Sequence, residues 1–170
     1  HILNNETGAI EATGHKILSV ETADGKLNSS DIQLVLDNHK NVPHQVMPKL
    51  VYISNSTELG TIYTKKELEN LSLFCRENNL YLFLDGARLG HALTSEINDV
   101  SLEDISKLTD VFYLGGTKNG ALIGEAIVIN NKLLQEDFAF NIKQKGALLA
   151  NGRLLGIQCL ELMQKDLYFD

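Results

Sequence analysis

Two short segments hold most of the side chains able to do chemistry. The first, Leu84-Asp85-Gly86-Ala87-Arg88-Leu89, closes an apolar run; the second, Gly115-Gly116-Thr117-Lys118-Asn119-Gly120, closes the next. An acid, an arginine and a lysine are thereby delivered by two neighbouring strand ends, the place where open α/β sheets bind ligands. A lysine amine can condense with a carbonyl to give a Schiff base, and a carboxylate can hold a ring nitrogen protonated. Glycines 115, 116 and 120 are expected to let the backbone approach a bulky ring closely. The segment is not a P-loop, because no Ser or Thr follows the lysine and the first glycines stand too close to it.

Placing those residues requires a sheet. Runs rich in Val, Ile, Leu and aromatics predict strands at 16–20, 50–54, 80–84, 111–114 and 125–129. Helical patterns lie between most of them, so the expected fold is α/β, a mostly parallel sheet with helices on both faces. The clearest helix is predicted over 65–78. Thr64 and Glu67 form its capping box, Leu68, Leu71 and Cys75 its apolar face, and an asparagine after Glu77 its left-handed end. Shorter helices are expected after Ser30, with Ile32, Val35 and Leu36 facing inward, and after Ser101. The stretch between Pro43 and Pro48 should be irregular. From Lys132 onward the apolar spacing predicts one or two long helices, locally weakened by Gly146, Gly152 and Gly156.

The 170 residues suffice for one domain with a real core. Fifteen basic against 22 acidic residues give a net charge of -7 without a basic stripe, which argues against nucleic acid and anionic membrane as partners and for a small molecule. No apolar stretch approaches the ~20 residues of a spanning helix, and no secretory signal is evident, so a cytoplasmic protein is expected. Cys75 and Cys159 read as buried free thiols, and no histidine or cysteine spacing suggests a metal site.

The segment Leu84 to Leu89 resembles the signature of the threonine aldolases, pyridoxal phosphate enzymes of the fold-type I aminotransferase class. The segment Gly115 to Gly120 is similar to the one that carries that family's Schiff-base lysine. The resemblance implies pyridoxal 5'-phosphate as cofactor, with Lys118 as the Schiff-base lysine, Asp85 at the ring nitrogen, Arg88 near the ring's phenolate oxygen, and the Thr117 hydroxyl on the phosphate. It also implies that His1 stacks on the ring and takes the substrate's hydroxyl proton. Glu6 would be a neighbour of the site, and Asn55 and Thr57, in the loop after the strand ending near Ile53, would face substrate. A turn is the simpler reading of that loop from its residues alone. Two positions depart from the commonest family form: Thr117 stands where serine is usual and Asn119 where a small residue is frequent. The histidine that many relatives carry near Asn55 has no counterpart. Such changes look like those of a bacterial branch of low-specificity aldolases and β-eliminating lyases.

The resemblance runs from His1 to about Met163 and covers only the middle of such an enzyme. Residues 1–170 are therefore expected to be a single large-domain fragment, without the family's upstream phosphate loop and C-terminal small domain, and a poor catalyst alone. The parent is expected to be a homodimer or homotetramer acting on an amino acid. The implied reaction is cleavage of threonine or allo-threonine to glycine and an aldehyde. Alternatives are β-elimination or amino transfer on the same fold, or a non-catalytic domain binding a nucleotide or a partner subunit through its glycine turns.

Overall fold

Four of the five predicted strands form. In the computed structural model, which describes residues 1–170, they are β1 (Leu50–Ser54), β2 (Tyr81–Gly86), β3 (Val111–Leu114) and β4 (Ala126–Ile129), in that spatial order. β1, β2 and β3 run parallel, whereas β4 is antiparallel to β3. Only residues 115–125 separate β3 from β4, and a parallel crossover needs roughly a dozen residues or more, usually with a helix. The run 16–20 forms neither strand nor helix. Its apolar letters satisfy a strand pattern, but a strand also needs a pairing partner, which composition does not specify.

The helices are α1 (Ser29–Asp37), α2 (Lys65–Glu77), α3 (Leu89–Leu93), α4 (Leu102–Leu108), α5 (Lys132–Gln135), α6 (Phe138–Gln144) and α7 (Arg153–Gln164). Both halves of the predicted Thr64/Glu67 capping box are present, and Ser101 and Asp104 build a second one for α4. The helix expected after Ser30 begins earlier, because Asn28 accepts the N–H groups of Ser30 and Asp31. Asn79, at φ 54°, turns the chain from α2 into β2. Where one or two long C-terminal helices are expected, the short α5 and α6 and the 12-residue α7 form: Asp137 (φ 59°) and Gly146 (φ 75°) leave the helical region, and Gly152 is the N-cap residue of α7.

Side chains alternate across the strands, and one face holds the core. Val51, Ile53, Leu82, Leu84 and Phe112 pack there with Leu68, Leu71 and Cys75 of α2 and Ile105 of α4. The opposite face presents Tyr52, Ser54, Phe83, Asp85 and Tyr113, all half-exposed. The expectation of helices on both faces therefore holds fully on one side. Elsewhere Ile127, Leu154, Ile157 and Leu160 are each more than half exposed. Cys75 is buried as expected, but Cys159 is only partly so. No helix is long and apolar enough to cross a membrane.

Candidate active site

Asp85 lies near the end of β2, one residue beyond the fully buried Leu84, so its side chain emerges on the half-exposed face. Its Oδ1 accepts the Ala87 N–H at 2.8 Å, and its Oδ2 accepts the Tyr52 hydroxyl. Hydrogen bonds donated to a carboxylate favour its ionised form. Tyr52 comes from β1 and is stacked on Phe83, with ring centroids 5.3 Å apart and planes 11° from parallel. Burial, followed by the neighbouring Asp85, holds the Tyr52 phenol protonated far above the usual tyrosine range.

Lys118 is brought to Asp85 by a close backbone approach between the turn after β2 and the loop after β3. A Cβ on Gly115 would lie 2.2 Å from the Ala87 carbonyl oxygen, and one on Gly86 would lie 2.2 Å from that of Tyr113. Neither approach tolerates a side chain. The buried Asn119 staples the same segments: its side-chain N–H groups donate to the carbonyls of Ala87 (3.0 Å) and Gly115 (2.9 Å). A Cβ on Gly116 would meet the Gly124 carbonyl oxygen at 2.2 Å. Glycines 115 and 116 thus accommodate the chain's own backbone.

Asp85, Arg88, Lys118 and His1 line one small cleft, together with Ser54, Ser56, Glu58 and Ala87. His1 Nε2 lies 2.7 Å from Glu6 Oε1, and its Nδ1 lies 3.2 Å from Glu58 Oε1. The same Glu58 oxygen is 3.9 Å from Arg88 Nη1. Four of the residues singled out in the sequence therefore converge, with Glu6 bound to one of them.

Three others are placed differently. Thr117 is not in the cleft wall: its hydroxyl donates to Glu125 Oε1 at 2.8 Å, and the other Glu125 oxygen accepts the Gly116 N–H. The adjacent Tyr113 phenol is pushed up to about 12, by burial first and then by the Glu125 carboxylate. Asn55 and Thr57 are buried behind the wall. Asn55 accepts the Tyr63 N–H at 3.2 Å, and the Thr57 hydroxyl pairs with that of Thr61 at 2.6 Å, so both close their own loop.

A family model, beta-eliminating lyase, matches residues 1–168. The chain belongs to the beta-eliminating lyase family. It is 34% identical over 168 residues to the low specificity L-threonine aldolase of Pseudomonas aeruginosa, a match that covers 98% of this chain and 48% of that protein. A solved threonine aldolase from Leishmania major superimposes with a TM-score of 0.96 at 55% identity, over 99% of this chain and 49% of that one. A putative L-allo-threonine aldolase from Listeria monocytogenes gives a TM-score of 0.63 at 26% identity, over 85% of this chain and 38% of that one. The chain thus spans about half the length of the first two relatives.

Within this beta-eliminating lyase chain, sequence reasoning missed Ser54, Ser56 and Glu58 in the cleft wall and Tyr52 behind Asp85. The signal was strand parity. Val51 and Ile53 face the core, and the same alternation carries inward to Asn55 and Thr57, leaving Tyr52, Ser54, Ser56 and Glu58 on the other side. Asn119, met in the sequence only as an unusual neighbour of Lys118, is the staple between the two segments.

Proposed function

We propose that the enzyme containing this chain is a pyridoxal 5'-phosphate-dependent aldolase that cleaves β-hydroxy-α-amino acids, threonine or allo-threonine, to glycine and an aldehyde. The observation that carries the reading is the convergence of an amine, a carboxylate, a guanidinium and an imidazole on one cleft, at Lys118, Asp85, Arg88 and His1. This donor set fits the ring end of the cofactor. An ionised carboxylate has about four acceptor positions, so Asp85 keeps room for a ring N–H beyond its two existing donors. Lys118 would hold the cofactor's carbonyl carbon, Asp85 its ring nitrogen, Arg88 its phenolate oxygen, and His1 one face of the ring. Thr117 would serve the phosphate only by turning its hydroxyl away from Glu125.

When bound, pyridoxal phosphate supplies the electron sink for the carbanion left as the Cα–Cβ bond breaks. The protein's part is to align that bond and to manage protons. Asp85 would face the ring nitrogen and accept its N–H. His1 would take the proton of the substrate's β-hydroxyl once that hydroxyl replaces one of the two carboxylates now on its ring nitrogens, Glu6 on Nε2 at 2.7 Å or Glu58 on Nδ1 at 3.2 Å, the other staying to orient the imidazole. We place this reaction in a cytoplasmic homodimer or homotetramer, with residues 1–170 as one cofactor-binding unit of the larger enzyme. The exposed Ile127, Leu154, Ile157 and Leu160 are the kind of apolar surface that the rest of such an assembly would cover.

β-Elimination remains the second reading, favoured by the family's own description and served by the same Asp85 and Lys118. The nucleotide-binding reading is weakened because glycines 115 and 116 already press against the chain's own backbone. The test uses the intact enzyme with pyridoxal phosphate. It should turn yellow, and Lys118→Ala should abolish both colour and turnover; an unchanged spectrum in the variant would defeat the assignment. Acetaldehyde with glycine from threonine marks aldol cleavage, whereas a ketoacid with ammonia from serine or a cysteine derivative marks elimination.

A further inference from the structure

We propose that Tyr52 is a positioning and charge-setting residue, whose hydroxyl fixes the Asp85 carboxylate and lowers its affinity for a proton, so that a basic ring nitrogen facing Asp85 keeps the proton. The consequence for the ring rests on the function proposed above; the coupling between Tyr52 and Asp85 does not.

The geometry follows from strand register. β1 and β2 pair with Tyr52 opposite Phe83 and Ser54 opposite Asp85, so Tyr52 and Asp85 are diagonal neighbours on one face of the sheet. Stacking on Phe83 fixes the Tyr52 ring, and its hydroxyl ends on Asp85 Oδ2. The second oxygen is held from the other side by the Ala87 N–H at 2.8 Å. The carboxylate is thus fixed by donors on both oxygens, one of them a side chain that the reaction scheme above leaves without a role. Buried beside an acid, the phenol stays a donor and does not compete as an anion.

When a carboxylate and a pyridine-type nitrogen share one proton, it rests on the group with the greater affinity. A donor to the carboxylate weakens the carboxylate's claim. Removing that donor leaves Asp85 part-buried beside Phe83, with less to stabilise its charge, and its claim rises. The other titratable groups around Asp85 are Tyr113, its register neighbour on β3, His1, Glu58, Arg88 and Lys118 in the cleft, and Glu6 on His1, and all of them persist in the variants below.

The experiment is a carbon NMR titration of the Asp85 carboxyl in the cofactor-free intact enzyme labelled at aspartate. Tyr52→Phe keeps the ring and its stack but removes the hydroxyl, and should raise the Asp85 midpoint by about one to two pH units, the scale of one hydrogen bond to a charged group. Fluorotyrosine at position 52, nearly the same shape but a stronger donor, should lower it. Midpoints that stay at the wild-type value in both variants overturn the proposal, as would a shift in the same direction for both. With cofactor loaded, Tyr52→Phe should also move the pH dependence of the visible band, a readout that a purely packing role for Tyr52 would leave in place. A protein that never turns yellow defeats the proposed function, while the carboxyl titration still reads the coupling.

Discussion

The approach of Lys118 to Asp85 depends on one missing methyl group, and Gly115→Ala tests that dependence. The added Cβ would sit 2.2 Å from the oxygen, 2.5 Å from the carbonyl carbon and 2.7 Å from the Cα of Ala87. All three atoms are main chain, so no rotamer change relieves them. Ordinary contact begins at 3.4 Å, so the Lys118 loop and the Ala87 turn must part by about 1 Å. That movement also lengthens the two Asn119 bonds, at 3.0 and 2.9 Å, that tie the same segments. Overpacking of this kind costs about 1–3 kcal/mol of stability, and a ~1 Å misplacement of a catalytic group can cost about a hundredfold in rate. If the intact enzyme has the function proposed above, Gly115→Ala should therefore lower kcat on threonine by about two orders of magnitude, with only a modest fall in the urea midpoint. Gly156→Ala is the matched control: no atom lies within 4 Å of its added Cβ, and it sits inside α7. It should stabilise by about 0.8–1 kcal/mol through helix propensity alone. A Gly115→Ala enzyme that keeps kcat within about threefold of wild type, far short of the hundredfold loss expected, would refute the reasoning.

Two further outcomes follow from the core. Leu84→Ala, at a fully buried position between Phe83 and Asp85, should cost about 2–5 kcal/mol in urea unfolding. Burial, and then the Asp110 carboxylate, push the Cys75 thiol up from 9.0 to about 12. In the unfolded chain the thiol loses its proton first, so the folded state holds more protons there and stability should fall as pH rises from about 9 toward 12. Urea midpoints measured between those pH values should fall less steeply in Cys75→Ala than in wild type, although that variant starts lower at neutral pH; parallel slopes would count against the assignment.

The local chemistry of the chain was written in its letters. The apolar runs of β1 to β4, the capping boxes at Thr64 and Ser101 and the left-handed Asn79 are short-range preferences, set by side chains that touch their own or adjacent turns. The Asp85 and Lys118 segments were legible for the same reason: each sits at the end of an apolar run. Pairing and packing were not legible, because they depend on residues far apart in the chain. Nothing in 16–20 announced that the run would lack a strand partner, whereas the short 115–125 connection that makes β4 antiparallel and the glycines at 146 and 152 that interrupt the C-terminal helices were local signals. Only the folded sheet decided that Tyr52 reaches Asp85 from the neighbouring strand, that Glu58 bridges His1 and Arg88 while Thr57 turns inward, and that glycines 115 and 116 serve backbone contact. The sequence determined which groups were available; register and parity, fixed by the buried face, determined which of them meet.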